Sequence, residues 1–562
     1  MALLPFGEYR PDLSDLNADY TSSIQNVVPH ADGYGPFPGI RTLTATLPGG
    51  VCKGGFYARK SDGSIAVFAG TSTNLYLLDN SSLAWTLVSK GGASYSPLSS
   101  TSIWQFEQFN SFVIAVQGNC APQVYNLNSS TAFADLGGSP PQASYVAVVS
   151  RFVLLSGLTS YPWRIQWSGL NDPANWTPGI NCCDYQEFPD GGIVRGAVGG
   201  EMGYVFQDQA IRNLVFMPGS DVIFGINRVA KDIGLLCPYT VVSAGDDVFF
   251  LSAKGFQRLA GGALMPIGRE KVDRTFFADF DASQPQLAIS AHDPAGGRIF
   301  WAYNSMMNTA ACFDKALVYD PFLDRWASAE FRGQHILSLA RPGITLESLD
   351  AIAPGEQPVT GAVNNGSGLI RLTVGATAAF TTNQSLTISG VGGVTAANGT
   401  WLVTVIDGTH LDLQGSTFSG AYTSGGIVGG SIDAITFSFD DVSAATSPQL
   451  GIFDETGSFG FFSGNNLEAT MQTGEQSAIQ QRMFLQGFYP VTDAPTVYGN
   501  VVKRENLNTI PTYTPEQPMN GRGLVPARAD TRYSRGRVRI PAGTVWTVAR
   551  GIDPLTIQRG RR

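Results

Sequence analysis

Two stretches of this chain repeat one device. Residues 199–214 read Gly-Gly-Glu-Met-Gly-Tyr-Val-Phe-Gln-Asp-Gln-Ala-Ile-Arg-Asn-Leu, and residues 244–259 read Ala-Gly-Asp-Asp-Val-Phe-Phe-Leu-Ser-Ala-Lys-Gly-Phe-Gln-Arg-Leu. Each has a glycine-led turn, a short apolar and aromatic run, a polar turn, and a returning strand with an arginine shortly before a leucine. That is a β-hairpin. Its recurrence after about 45 residues matches one blade of a β-propeller, a unit that cannot bury its faces without neighbours.

Similar hairpins fill residues 51–350. Ile65–Ala69 returns as Leu75–Leu78, Phe112–Val116 as Val124–Leu127, Phe152–Leu155 as Trp163–Trp167, and Arg298–Tyr303 as Ala316–Asp320. The runs are β-branched and aromatic, four to six residues long, and bounded by Gly, Asn, Asp, Pro or Ser. Several are apolar without alternation, as suits strands covered on both faces. With 65 Gly, 32 Pro and only 14% charged residues, the chain suits short strands and many turns rather than a helical enzyme. The fold class expected is all-β, a β-propeller-like body with a small inserted β-barrel or sandwich module.

Four segments follow from composition. Residues 1–50, with Pro5, Pro11, Pro29, Pro36, Pro38 and Pro48, are expected to form an extended N-terminal arm. Residues 51–357 are expected to be the first part of the propeller. Residues 358–431 lose nearly all charge to Gly, Thr, Ser and Ala yet keep regular Leu, Ile and Val spacing, which favours a folded module over a linker. Residues 432–562, beginning with a strand at Ala434–Phe439, are expected to close the propeller and end in a basic tail.

Net charge is -9, unevenly spread. Residues 482–562 hold 13 Lys and Arg against 5 Asp and Glu, and residues 1–481 hold 23 against 40. In Tyr533–Ile540 the side chains of Arg535, Arg537 and Arg539 fall on one strand face, and the chain ends on Arg559, Arg561 and Arg562. Such a row could bind phosphate, dock on carboxylates of a partner, or lie solvated. Assembly is the expected use, because guanidinium groups about 6.5–7 Å apart on one strand face suit a row of carboxylates on a partner.

The sequence carries no familiar catalytic pattern. There is no phosphate-binding Gly-x-x-x-x-Gly-Lys-Ser/Thr loop, no His-Glu-x-x-His and no Gly-x-Ser-x-Gly elbow. Asp246-Asp247 and Asp440-Asp441 are sequence neighbours, so on a strand they point to opposite faces and read as acidic turn residues. His30, His292, His335 and His410 lack metal-ligand spacing, and the adjacent Cys182-Cys183 suits neither a bridge nor zinc. No catalytic residue, metal or cofactor is expected, and the six cysteines read as reduced thiols. No run of 18 apolar residues occurs, so no membrane-spanning segment is expected. The N-terminus lacks a basic, apolar leader, so cytoplasmic synthesis is expected.

The stretch Asn17-Ala18-Asp19-Tyr20, followed by Asn26-Val27-Val28-Pro29 and Gly33-Tyr34 to Phe37-Pro38-Gly39-Ile40, resembles the start of the packaged-DNA stabilisation, or tail nozzle (hub), proteins of short-tailed phages. Ile223–Asn227, Gly234–Pro238 and the hairpin Val248–Leu259 are similar too. The resemblance covers about three-fifths of the chain, and residues 358–431 depart from the family's minimal pattern. It implies a non-enzymatic homohexamer of the virion tail, assembled in the host cytoplasm. Such a ring sits below the portal and a head-to-tail adaptor protein, closes the channel after packaging and conducts double-stranded DNA at ejection, without sequence specificity. A tail fibre, spike or needle stays open as a further partner. The rivals are a propeller hydrolase acting on polysaccharide, which needs paired carboxylates at the central pocket, and a propeller that binds glycan or protein.

Overall fold

The structure, a computed structural model, describes residues 3–80, 82–340, 356–378, 380–430, 448–477 and 482–558. The chain is almost entirely β, and it divides into two compact units. The larger contains a β-propeller.

Five four-stranded antiparallel sheets follow one another between Gly55 and Pro266, each running in chain order from an inner to an outer strand. Two more blades share the long strand Arg325–Ala340. Its first half pairs with Phe313–Asp320 to finish a sixth blade, and its second half pairs with Pro448–Asp454 to start a seventh. The seventh continues through Ser458–Phe461 to Arg41–Thr46, a strand from the other end of the chain. The second half of Arg325–Ala340 lies beside both Ile289–Asp293 and Gly55–Arg59, the inner strands of blades six and one, which closes the ring.

The apolar runs are explained by this packing. In Phe112–Val116, Val113 and Ala115 pack toward blade one, while Ile114 and Val116 pack toward blade three. In Phe152–Leu158, Val153 and Leu155 join that second core, and Phe152 and Leu154 join the next. Period-two side chains in a sheet covered on both faces leave no polar position.

The two tandem hairpins are the middle strands of blades four and five, Met202–Gln207 with Ala210–Phe216 and Asp247–Ser252 with Gly255–Ala260. Their arginines stand one position apart relative to the turn, Arg212 opposite Val205 and Arg258 opposite Phe249, and each is held by an aspartate. Arg212 donates from Nη2 to Asp190 Oδ1 at 2.6 Å, and Arg258 from Nε to Asp247 Oδ2 at 2.9 Å.

Residues 469–558 correct the expectation that 432–562 closes the propeller. Among the described residues only Pro448–Asp454 and Ser458–Phe461 do so; the strands that follow build a two-layer sandwich. One sheet centres on Met483–Thr492 and Ala549–Gln558, the other on Tyr533–Ile540 between Ala469–Gln472 and Tyr498–Arg504. The layers meet where Gly536 lies beneath Ile552 and Gly499 beneath Phe488. The strand expected at Ala434–Phe439 lies outside the described residues.

The N-terminal arm is extended and docked along both bodies. Val27–His30 and Gly33–Pro36 extend one sandwich sheet, Ile24–Gln25 extends the other, and Arg41–Thr46 closes the propeller. Between them stands Asn26, in the left-handed region at φ 56°. Its backbone N–H donates to Ser328 O (2.8 Å), and its Oδ1 accepts from Glu330 N (2.7 Å) on the propeller. Its Nδ2 donates to Glu468 O (2.9 Å) beside the sandwich. One asparagine therefore stitches the two bodies, a task that needs both its donor and its acceptor.

The second unit holds a closed six-stranded barrel formed by Gln357–Asn364, Ile370–Val374, His410–Leu413, Gly399–Val405, Ser385–Ser389 and Ile427–Gly430. It has its own core, in which Ile370, Leu372, Leu386, Val403, Leu411 and Leu413 are fully buried. On its wall Arg371 meets Asp412 in a bidentate pair at 2.6 and 2.8 Å.

Candidate functional site

Two places could carry function: the propeller axis and the arginine face of the sandwich. Around the axis the inner strands enclose a cavity of about 220 Å3, whose polar lining includes Gln105, Tyr145, Tyr239, His292 and His335. A second cavity of about 450 Å3 adjoins Arg195, Phe277 and Phe280 and shares Tyr145 and Tyr239 with the first. The two tyrosine rings, 6.3 Å apart and tilted by 59°, stand between the cavities.

This axis is electrically quiet. His335 is 7% exposed, its Nδ1 has no hydrogen-bond partner, and burial pushes its pKa down to about 4, so it is neutral at pH 7. Burial lowers His292 as well and raises Tyr239 to about 12. The Tyr239 hydroxyl accepts from Ile103 N at 3.1 Å, which fixes the ring. No carboxylate lines either cavity. Glu107, on the inner strand Gln105–Phe109, has its carboxyl pushed up to about 7 by burial.

The arginine face is satisfied from within. Arg535 grips Asp15 of the N-terminal segment with Nε and Nη2, both at 2.8 Å, with the two side chains 14% and 6% exposed. Its neighbour Arg504 holds the buried Glu475 from Nε at 2.7 Å. Arg539 donates to Glu516 from Nε at 3.0 Å and to Glu468 from Nη1 at 2.8 Å, and these bonds raise its pKa. Arg537 approaches the Tyr513 ring, 6.0 Å from its centroid. The row of carboxylates expected on a partner is thus supplied to Arg535 and Arg539 by this chain. Arg559, Arg561 and Arg562 lie outside the described residues.

Of the acidic pairs, Asp247 is taken by Arg258, and Asp440-Asp441 lies outside the described residues. Among the described residues no group of three His, Cys, Asp or Glu could hold a metal ion. All six cysteines are free thiols, and burial pushes Cys52 and Cys237 up to about 12, which keeps them protonated. No helix of the described residues is long and apolar enough to cross a membrane. Sequence reading missed Asn26, Asp15 and His335 as positions of consequence; none carries a local pattern, since each acquires its role from a strand far away in the chain.

No family model and no curated protein matches the chain. Among solved structures it is similar to the extracellular domain of a hybrid two-component system from B. thetaiotaomicron. That match has 8% identity and a TM-score of 0.33, and covers 62% of this chain and 46% of that one. The chain therefore spans about half the length of that domain. It is also similar to dihydro-heme d1 dehydrogenase NirN in complex with DHE, with 10% identity, a TM-score of 0.31, and 67% and 80% of the two chains covered. Similarity at this level carries no argument about function.

Proposed function

We propose that this protein is a non-enzymatic subunit of a short-tailed phage tail nozzle, a ring of copies docked below an adaptor that retains packaged DNA and conducts it at ejection. The observation that carries the reading is where the family-like residues sit. Asn26 to Ile40, within the stretch that resembles the start of the nozzle proteins, is the segment joining sandwich to propeller and feeding the seventh blade.

The axis supports the same reading by what it can hold. A cavity of about 220 Å3 has room for about seven waters at roughly 30 Å3 each. Duplex DNA, whose major groove alone is about 12 Å wide, cannot thread it, so a conduit has to lie between copies. A polysaccharide hydrolase needs two converging carboxylates, and the axial lining of neutral histidines and tyrosines does not supply them. The excess of acid over residues 1–481 suits a wall past which phosphates slide.

Mass measurement of the purified chain, alone and with the adaptor protein of the same particle, tests the reading. A ring, seen again by electron microscopy beneath the adaptor, is the expected result. A stable monomer that turns over polysaccharide and ignores the adaptor would sink it.

A further inference from the structure

The larger of the two axial cavities, about 450 Å3, falls within the size range of small-molecule sites. It lies where the inner strands begin. The segments that lead into the inner strands of blades two, five and six form its wall, with the first residues of those of blades three and four. Its body is aromatic: Tyr145, Tyr239, Phe277 and Phe280 supply the rings. Tyr239 and Phe280 are buried, whereas Phe277 and Leu236 are exposed, which marks the side open to solvent.

Among these lining residues Arg195 alone is charged, and a β-bulge places it. In the inner strand Val194–Val198, Val194 faces Gln207 and Gly196 faces Phe206, so Arg195 has no partner across the ladder. A bulge re-aims the side chain it carries. Asp208 takes the guanidinium through Nε, at 2.6 Å. Among the described residues neither Nη group of Arg195 has a hydrogen-bond partner, and nor has the Tyr145 hydroxyl. The cavity thus offers free donors, aromatic walls and no carboxylate.

The geometry points to a binding site for a small monoanionic aromatic acid, a planar ring carrying one carboxylate. The ring would lie among the aromatic side chains in the offset or edge contacts that such rings prefer. The carboxylate would accept end-on from both Nη groups of Arg195, the side of the guanidinium that Asp208 leaves open, and from the Tyr145 hydroxyl. A single negative charge is the match, because Asp208 already offsets part of the guanidinium charge, whereas a phosphate monoester brings nearly two. The site lies within one copy and does not depend on the ring reading.

Isothermal titration calorimetry of the full-length chain at pH 7 tests it with indole-3-acetate, the neutral indole-3-acetamide and AMP. Indole-3-acetate should bind once per chain with a Kd below about 1 mM, and the other two should bind at least about tenfold more weakly. Arg195→Gln should bring acetate and acetamide to the same affinity, and Phe277→Ala should weaken both alike. Circular dichroism melting checks that each variant is folded; if Arg195→Gln is not, the acetate and acetamide affinities of the wild-type chain and of Phe277→Ala decide. No binding of the acetate, equal binding of acetate and acetamide by the wild-type chain, an acetate preference that survives Arg195→Gln, or binding that ignores Phe277→Ala would overturn the site. Tighter binding of AMP than of the acetate would overturn the assignment to a monoanion.

Discussion

Ala340 and Pro448 are partners in an antiparallel ladder, with the whole of 341–447 strung between them. The inner and second strands of blade seven are therefore a hairpin whose turn has been replaced by a long segment that includes a barrel with its own core. Paired Cα atoms in such a ladder stand about 4.5–5.5 Å apart, so two to four residues can close it. Replacing 341–447 by Asn-Gly or a four-residue Gly-Ser turn should leave propeller and sandwich folded, with a melting midpoint within about 5 °C of the full chain. Residues 356–430 expressed alone should melt cooperatively. Aggregation of the shortened chain would show that the segment is needed for the seventh blade to close.

Arg535 and Asp15 give a prediction opposite to the one a solvated arginine row would suggest. Substituting Arg535, Arg537 and Arg539 together by Ser removes the arginine partners of the nearly buried Asp15 and of Glu516 and Glu468, while Glu475 keeps Arg504. Breaking one buried ion pair costs about 3–5 kcal/mol. Arg535→Ser alone should cost about 3 kcal/mol in urea unfolding, Arg537→Ser under 1 kcal/mol, and the triple variant should not fold stably. An Arg535→Ser protein of wild-type stability would show that the pair contributes nothing and that the face is available to a partner.

How much of this was legible in the sequence depends on how far each pairing reaches. Phe112–Val116 announces a strand buried on both faces by having no polar position, and the repeating hairpins announce blades. Tyr533–Ile540 carried the opposite signal. Its strict alternation, with Arg535, Arg537 and Arg539 half-buried and Ser534, Gly536, Val538 and Ile540 buried, belongs to a sandwich strand with one covered face, not to a blade. That distinction was available from periodicity alone. The closure by Arg41–Thr46 was not, because nothing local in a six-residue strand names a partner at Ser458–Phe461. For the same reason nothing local to Asn26 shows that Glu330 and Glu468 stand on either side of it.

His335 and Glu107 should make stability depend on pH with opposite signs. Burial lowers the histidine from 6.5 to about 4. Below pH 6.5 the unfolded chain takes up a proton that the folded chain refuses, so stability falls as pH drops from 6.5 toward 4. Burial raises the Glu107 carboxyl from 4.5 to about 7. Between those values the folded chain holds a proton that the unfolded chain has lost, so stability falls as pH rises from 4.5 to 7. Each effect has an upper bound of about 3.4 kcal/mol, at 1.36 kcal/mol per unit. Between pH 4.5 and 6.5 the two contributions offset each other, so in urea titrations at pH 4.5, 5.5 and 7 His335→Gln should leave stability falling as pH rises, and Glu107→Gln should leave it falling as pH drops. Unchanged slopes in either variant would show that the side chain is solvated.

Gly536 and Ile552 test whether the two sandwich layers are as close as they stand. A Cβ on Gly536 would run into Ile552 Cδ1, and Gly536 needs no left-handed backbone, so any penalty is contact rather than strain. Gly536→Ala should cost about 2 kcal/mol, in the range of core overpacking. Ile552→Ala should cost about 3 kcal/mol through the cavity it leaves. Because the new methyl would fill part of that cavity, the double variant should be more stable than the sum predicts by at least about 1 kcal/mol, the signature of residues in contact. Strict additivity in urea unfolding would mean that the layers do not meet here, and that the sandwich built by residues 469–558 is packed in some other register.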